Sequence, residues 1–433
     1  MKYIPTIGLE LHCEMNTKSK VFSSARNEYN EIPNSNIAPL DLAFPGTLPV
    51  LNKNALRKAF RMSLALNCTQ PDVLVFDRKN YYYPDLPKGY QITQMEKPVG
   101  INGFLDVDVD GELKRILIHD IHLEEDTASM DHYDDFSLID YNRSGVPLVE
   151  IVTEPCMHSA KEAVSYLETL RNTFKYCDIS QADTKMGQIR CDVNISLSNT
   201  DELGTKVEIK NVNSFSGVRD AINYEVQRQL ALIEIKEELN KRNAEVLEEI
   251  HDLDSLFENT KSKILSSAES IKAVVLKGFN GLIGKEVQPG RRLGTEIASY
   301  AKKRGVSGIF HSDELPAYGI TQDEVNSVKD YLNVGSQDAF IIVAHDENVA
   351  ISALEEVKRR ANLGFEGVVE ETRKSLDDGN TEYMRPLPTA NRMYLETDIP
   401  LFKITDELVE PIKNNLPELP DVKKERIIKE YNL

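Results

Sequence analysis

Residues 7–14 read IGLELHCE, and this stretch decides the fold at the amino end of the chain. Apolar side chains alternate with polar ones, a pattern typical of a half-buried β-strand. The polar face carries Glu10, His12 and Glu14, which are side chains of types that bind metal ions. The stretch therefore predicts a sheet with one polar, ion-binding face, which we call the floor.

A second stretch with the same alternation runs from residue 121 to 126. It places His122, Glu124 and Asp126 on one face, with Ile121 and Leu123 on the other. Two interpretations are open at this point. The polar face either extends the floor or is the solvent-facing side of an antiparallel sheet.

The third stretch, residues 146–152, is almost continuously apolar with Glu150 in its middle. We expect both faces of this strand to be covered, so the carboxylate must be paired, protonated or bound to metal. A structural ion pair with Arg143 is one interpretation. A metal-binding or catalytic carboxylate is the other.

The fourth stretch spans residues 188–197 and aligns Arg190, Asp192 and Asn194 on one face. A following strand, 206–210, places Glu208 and Lys210 together. Carboxylates mixed with fixed cations suit Mg²⁺ and phosphate oxygens. Histidine among the ligands leaves Mn²⁺ or zinc open.

Cations and aromatic side chains share the segment 76–85, which contains Arg78 and Lys79. Contact with a nucleotide or acyl phosphate is one hypothesis for these two cations, and a tyrosine-rich packing strand with a solvated charge pair is the other. The sequence contains no Walker A motif, kinase Gly-rich loop or GxGxxG motif, so an ATP site would be of another type.

The bulk composition narrows the class of protein. The net charge of −19 argues against indiscriminate nucleic-acid binding, although local basic clusters such as Arg291-Arg292 and 302–304 are either solvated or contact an RNA backbone. The five cysteines are scattered, which favours reduced thiols. We see no signal peptide and no membrane-spanning stretch, so we expect a cytoplasmic location.

The pattern along the chain predicts an α+β protein built mainly on antiparallel sheet. We expect a catalytic cradle in residues 1–235 that returns in 364–404, a helical linker in 236–270 and an inserted α/β domain in 271–363. Residues 405–433 are expected to begin a helical tail domain. The dipeptides Asn102-Gly103 and Asp110-Gly111 both carry a strong hairpin signal.

Several of these stretches, taken in order, resemble one family of enzymes. Residues 7–12, 77–81, 83–92, 122–126 and 190–194 are similar to the catalytic subunits of tRNA-dependent amidotransferases, the GatB/GatE family. The resemblance covers residues 1 to about 235 and 366–433. The segment 271–362 resembles the inserted domain of bacterial aspartyl-tRNA synthetases, which favours the archaeal GatE type over the bacterial GatB type.

The resemblance implies an ATP- and Mg²⁺-dependent conversion of glutamyl-tRNA(Gln) to glutaminyl-tRNA(Gln). It implies phosphorylation of the glutamyl γ-carboxylate and its amidation with ammonia. The ammonia would come from an asparaginase-like glutaminase partner, GatD, in a heterotetramer with two copies of each protein. A non-catalytic tRNA-binding module on the same fold is a rival hypothesis, and a metal-dependent nuclease is a third.

The resemblance also assigns residues to these roles. It implies Mg²⁺ ligands at Glu10, His12, Glu124 and Glu150, with Lys79, Arg190 and Asp192 as further members of the catalytic site. Nucleotide contacts are expected from Arg78, Lys79, Glu208 and Lys210. Some relatives carry a four-cysteine zinc site where this chain has no cysteine, in residues 22–42, so we expect no structural zinc. The family continues beyond the position of Leu433 with a tail that grips tRNA.

Overall fold

The computed structural model describes residues 2–387 and 392–432, so part of the expected return segment 364–404 lies outside the described residues. The strands are β1 (Ile4–Glu14), β2 (Val73–Leu74), β3 (Asp77–Asn80), β4 (Tyr90–Thr93), β5 (Gly100–Val109), β6 (Glu112–Glu125), β7 (Ser129–His132), β8 (Ser137–Asp140), β9 (Pro147–Thr153), β10 (Ile189–Ser198), β11 (Val207–Val212), β12 (Glu245–Asp252), β13 (Ser270–Lys277), β14 (Glu286–Gln288), β15 (Arg291–Arg292), β16 (Phe310–His311), β17 (Ala339–His345), β18 (Glu371–Ser375), β19 (Thr381–Pro386), β20 (Met393–Leu395) and β21 (Phe402–Lys403). The α-helices are α1 (Lys53–Ala65), α2 (Ala160–Tyr176), α3 (Phe215–Lys241), α4 (Leu293–Ala301), α5 (Gln322–Tyr331), α6 (Glu347–Leu363), α7 (Asp406–Lys413) and α8 (Pro420–Tyr431).

The chain divides into two compact units. The floor unit comprises Thr6–Asn194, Asn211–Arg219 and Pro388–Leu433, and the second unit comprises Met1–Pro5, Ile195–Lys210 and Asp220–Leu387. Most strand pairs are antiparallel, which confirms the predicted α+β class with short helices at the carboxyl end. No helix among the described residues is both long and apolar enough to cross a membrane.

The floor unit is built on strands in the order β10-β1-β9-β6-β5. Strand β9 pairs antiparallel with both β1 and β6, and all but one of its residues are buried, as its apolar sequence predicts. In β1 the apolar side chains are buried and the polar ones are partly exposed. The alternation of the opening stretch therefore produces the expected two-faced strand.

One of the two hairpin signals is confirmed and the other is wrong. Asp110 and Gly111 have positive φ angles and join β5 to β6. Asn102-Gly103 instead lies inside β5, although Asn102 also has a positive φ. A side chain at position 103 would collide with the carbonyl oxygen of Leu66, at 2.6 Å, so the glycine permits close packing rather than a turn.

The second unit contains a sheet in the order β12-β13-β17-β16 with an apolar core on each face. Along β13, Val274 and Leu276 enter one core while Ala273 and Val275 enter the other. Because both faces are covered, these strands are almost continuously apolar. The boundaries of a separate inserted domain remain a prediction.

The predicted helical linker over 236–270 is wrong in its secondary structure. Helix α3 ends at Lys241, Asn243 has a positive φ, and β12 follows and pairs with β13. Val246 is buried against a core, whereas Glu245, Glu248 and Glu249 are exposed. The glutamates therefore mark the charged side of an edge strand, where charge discourages pairing with other chains.

Candidate metal and phosphate site

Three strands of the floor unit bring polar side chains into one row. His12 on β1 is directly opposite Glu150 on β9, and Glu150 is directly opposite His122 on β6. Residues opposite each other in an antiparallel ladder project to the same face. Glu124 lies two residues beyond His122 on that face, so the floor predicted from alternation contains these four side chains together.

His12, Glu124 and Glu150 form a candidate metal site, with ligand atoms that all lie within 4.8 Å of one another. The Nε2 atom of His12 is 3.8 Å from a Glu124 oxygen and 3.7 Å from a Glu150 oxygen. These distances are too long for hydrogen bonds. Ligands about 2.1 Å from a shared octahedral Mg²⁺ would stand roughly 3–4 Å apart, so the spacing suits a common cation.

The two carboxylates of this cluster are deeply buried, at 1% exposure for Glu124 and 8% for Glu150. Burial and the charge of Glu150 raise the pKa of Glu124. Burial alone would also raise the pKa of Glu150, but the charges of His12, His122 and Lys79 together lower it. The pair therefore favours one negative charge over two, and a divalent cation would allow both groups to ionise.

An unpartnered atom supports the same interpretation. The Oε2 atom of Glu124 is buried and accepts no hydrogen bond from any residue that the structure describes. A buried carboxylate oxygen without a donor is costly and calls for an explanation such as an ion. The donor set of one imidazole and two carboxylates fits a divalent cation, and Mg²⁺ commonly adds water molecules to one or two carboxylates.

His122 extends the cluster, although sequence reasoning assigned it no role beyond its place on the face. Its Nε2 atom lies 3.0 Å from an Asp120 oxygen, and its Nδ1 atom lies 3.7 Å from a Glu150 oxygen. Burial would lower the pKa of His122, but Asp120 and Glu150 raise it to about 10. A charged His122 beside Glu150 supports the carboxylate from behind, as partners of metal ligands often do.

The alternative of a structural ion pair between Arg143 and Glu150 is wrong. Arg143 donates hydrogen bonds to the carbonyl oxygens of Thr127 and Ala128 and lies 3.8 Å from Asp126. Asp126 is also 2.6 Å from Arg190, the stronger partner. These arginines therefore neutralise Asp126 at the end of β6 and leave Glu150 to the histidines.

Lys79 and Arg78 have different surroundings despite being neighbours on β3. Lys79 is close enough to Glu124 and Glu150 for its charge to lower the pKa of each. Arg78 instead forms a two-pronged contact with Glu396, at 2.6 and 3.1 Å, and lies over the ring of Tyr90. Lys79 is thus the cation that faces the carboxylates, while Arg78 fastens β3 to the segment around β20.

The remaining predicted residues of the floor unit lie along β1 and β10. Glu10 accepts a hydrogen bond of 2.8 Å from the side chain of Asn194, and carboxylate oxygens of Glu10 and Asp192 lie within 4.8 Å of each other. Asp192 also accepts from the backbone amide of Asn211. Arg190 is held by Asp126, so its guanidinium is fixed in direction.

Glu208 and Lys210 lie in the second unit and contact each other at 2.9 Å. Glu208 also accepts a hydrogen bond from the hydroxyl of Thr372 on β18. Their shared face on β11 was predicted from the period of two, and their role toward a nucleotide remains a prediction.

The floor thus defines a class of site, in which buried carboxylates and histidines face lysine and arginine in the way that divalent metals and phosphates require. A family model described as the GatB/GatE catalytic domain matches residues 5–410. The chain belongs to this family.

Proteins similar to this chain carry the name of the E-type catalytic component of glutamyl-tRNA(Gln) amidotransferase, GatE. The protein from Methanobrevibacter smithii is 60% identical over 99% of this chain and 73% of its own length. Those from Methanothermobacter thermautotrophicus and Methanocaldococcus jannaschii are 46% and 43% identical, over 88% of this chain and 60% of theirs. The resemblance to the archaeal type is confirmed, and the chain spans about three fifths of most of these relatives.

Proposed function

We propose that this chain is the catalytic subunit of an ATP-dependent amidotransferase that converts glutamyl-tRNA(Gln) to glutaminyl-tRNA(Gln). The observation that carries the proposal is the cluster of His12, Glu124 and Glu150, with Lys79 directed toward it. The names of the relatives supply the substrate. A carboxylate substrate and a triphosphate are both anions, so their approach requires positive charge of this kind.

In this proposal His12, Glu124 and Glu150 hold Mg²⁺, and Glu10 adds a carboxylate on the same face of β1. The cation would offset negative charge on the phosphates during transfer. His122 keeps Glu150 oriented toward the ligand position. Because Glu124 and Glu150 are buried, the cation would be held in a setting where its charge is screened less than in water.

The lysine and arginine side chains of the floor unit have separate parts. Lys79 makes no ion pair with the residues that the structure describes, so its ammonium can bind phosphate oxygens that move from ATP to the γ-carboxylate. Arg190 contributes a fixed guanidinium beside Asp126, and Asp192 adds a carboxylate next to Glu10. Arg78 is a weaker candidate for ATP, because binding a phosphate would compete with its contacts to Glu396. Glu208 and Lys210 remain nucleotide contacts by family resemblance.

The second half of the reaction requires ammonia. We propose that an asparaginase-like glutaminase, GatD, supplies it in a complex with two copies of each protein. Ammonia forms a bond to the γ-carbon as phosphate leaves, and a proton must pass from nitrogen to a base or to water.

We further propose that residues 271–363 form an inserted domain like that of bacterial aspartyl-tRNA synthetases. The proposed boundaries along the chain are 1–235, 236–270, 271–363, 364–404 and 405–433. Limited proteolysis that leaves 271–363 as one protected fragment would support this division, and early cleavage within that segment would contradict it.

The test of the proposed activity uses Glu150→Gln, which keeps the shape of the side chain and removes its charge. The wild-type chain is supplied with glutamyl-tRNA(Gln), ATP, Mg²⁺ and ammonium chloride, which replaces the glutaminase. Glutaminyl-tRNA formation is expected in the wild type and is expected to fall at least about a thousandfold in Glu150→Gln, in the range seen when groups that stabilise a transition state electrostatically are removed.

The matched control is Glu249→Gln, which removes a carboxylate that is 77% exposed. Its product formation should equal that of the wild type. Product formation by Glu150→Gln at the wild-type rate would contradict the assignment of the site. Absence of product from the wild type would contradict the proposed activity.

A further inference from the structure

The loop between β3 and β4 forms an aromatic cavity next to the floor. The cavity has a volume of about 430 Å³ and is lined by residues between 82 and 89. Its walls combine tyrosine, leucine and proline side chains with Lys88. A volume of this order is in the range of pockets that accept small organic groups.

The loop that forms this cavity is fixed rather than draped over the surface. Tyr141 donates its hydroxyl hydrogen to the carbonyl oxygen of Pro84, and the amide of Ala128 donates to the carbonyl oxygen of Asp85. The side chain of Leu86 is buried, at 6% exposure. These contacts anchor the loop at three successive residues, so the cavity is largely formed before any ligand arrives.

Tyr82 is the unusual member of this loop, because it is 95% exposed. Its ring lies against Gly89, where an added Cβ atom would stand 3.1 Å from the ring. Gly89 also has a φ of +72°, so substitution there is strained as well as crowded. The chain thus supports an aromatic ring from one side and leaves it open to solvent, which is the arrangement of a stacking platform.

The cavity is at a suitable distance from the proposed reaction centre. Tyr82 is three residues from Lys79, a span of at most about 10 Å. Burial and the carboxylates of Asp85 and Glu124 raise the pKa of Tyr81, whose hydroxyl therefore lies on the side of the floor. A span of this size is comparable with a ribose that carries a glutamyl ester, so a base on Tyr82 would allow the γ-carboxylate to reach Lys79.

We infer that this cavity binds the 3′-terminal base of a single-stranded RNA end that carries the amino acid, with the base stacked on Tyr82. The inference rests on the proposed function. Stacking adds affinity without requiring a basic surface, which agrees with the net charge of −19. The openness of the ring favours an RNA end over the adenine of ATP, because small-molecule sites usually enclose most of their ligand.

The test measures fluorescence quenching of a short single-stranded RNA whose 3′-terminal base is 2-aminopurine, mixed with the full chain. Stacking on tyrosine is expected to quench the wild-type mixture. Tyr82→Ala should weaken binding roughly tenfold or more, while Tyr82→Phe and Tyr82→Trp retain it. The control is Tyr331→Ala on α5, where a tyrosine of 55% exposure is removed elsewhere.

Two results would overturn the inference. One is an absence of quenching in the wild type, and the other is equal binding by wild type and Tyr82→Ala. In amidation assays Tyr82→Ala should raise the KM for glutamyl-tRNA and leave the KM for ATP unchanged, and the reverse pattern would place ATP in the cavity. Quenching that depends on Tyr82 in a chain that forms no glutaminyl-tRNA would support the cavity and contradict only the proposed function.

Discussion

Two clusters of buried charge occur in this molecule, one in each unit, and they are built in opposite ways. The closed cluster of the second unit combines three arginines with three glutamates, namely Arg228, Arg360, Arg373, Glu225, Glu296 and Glu371. Its contacts are direct, such as 2.9 Å from Arg228 to Glu296 and 2.6 Å from Arg373 to Glu296. The floor cluster holds Asp120, Glu124 and Glu150 with two histidines, and the contacts of His12 to the two glutamates are 3.8 and 3.7 Å.

The difference separates a structural role from a functional one. In the closed cluster the charges balance and short contacts offset the cost of burial, so it stabilises the fold as found. In the floor cluster the carboxylates outnumber their direct partners, and one Glu124 oxygen accepts no hydrogen bond from the described residues. Such an arrangement lowers stability and is retained where a ligand completes it. Three experiments can break or sharpen this comparison.

The largest effect is expected from opening the closed cluster. Glu296→Gln removes a negative charge that contacts three buried arginines, so we expect a loss of about 3–5 kcal/mol in the free energy of unfolding. Urea unfolding measures it, with Glu249→Gln as the control that should stay within about 0.5 kcal/mol of wild type. A loss below about 1 kcal/mol for Glu296→Gln would show that the cluster is not structural.

A smaller effect is expected from pH acting on the same cluster. Burial would raise the pKa of Glu296, but Arg228, Arg373 and Arg360 hold it well below its ordinary value of 4.5. A group with a lowered folded pKa stabilises the protein fully above the unfolded pKa, and that stability is lost as the pH falls. Below pH 4.5 the unfolding free energy of the wild type should therefore decrease by up to about 1.4 kcal/mol per pH unit more steeply than that of Glu296→Gln. Parallel pH profiles of the two proteins would be the contrary result.

The smallest effect, of opposite sign, is expected in the floor cluster without metal. Burial and Glu150 raise the pKa of Glu124, so its ionised form is unfavourable at neutral pH. Glu124→Gln should raise the free energy of unfolding by about 0.5–2 kcal/mol in the presence of a chelator. Thermal unfolding at a pH of about 7.5 measures the change. Destabilisation by this substitution would place Glu124 in the same class as Glu296.

The sequence allowed the faces of the floor to be predicted, because a period of two fixes which side chains share a side of a strand. Glu10 with His12, and His122 with Glu124, follow from alternation alone. Register does not follow from it, since the row of His12, Glu150 and His122 depends on pairing between distant strands. The proximity of Arg143 in sequence led to the wrong partner for Glu150, because the chain turns between them and directs Arg143 to Asp126.

The closed cluster was not predicted, although the helix that carries part of it was. Glu225 and Arg228 lie on α3, where charged residues at a spacing of three are typical of a solvated face. Both side chains are fully buried because Glu296 on α4 and Glu371 on β18 pack against them. Local composition does not contain this information, since the burial of a charge is decided by partners far along the chain. The glutamates of β12 illustrate the reverse error, in which an exposed strand edge resembled a helix.

The central claim is that the floor cluster is completed by a divalent cation, and titration calorimetry tests it most directly. Mg²⁺ is titrated into the metal-free chain, into Glu150→Gln and into Glu249→Gln. We predict saturable binding by the wild type and the exposed-site control, and its loss in Glu150→Gln. Equal Mg²⁺ binding by Glu150→Gln and the wild type would contradict the account.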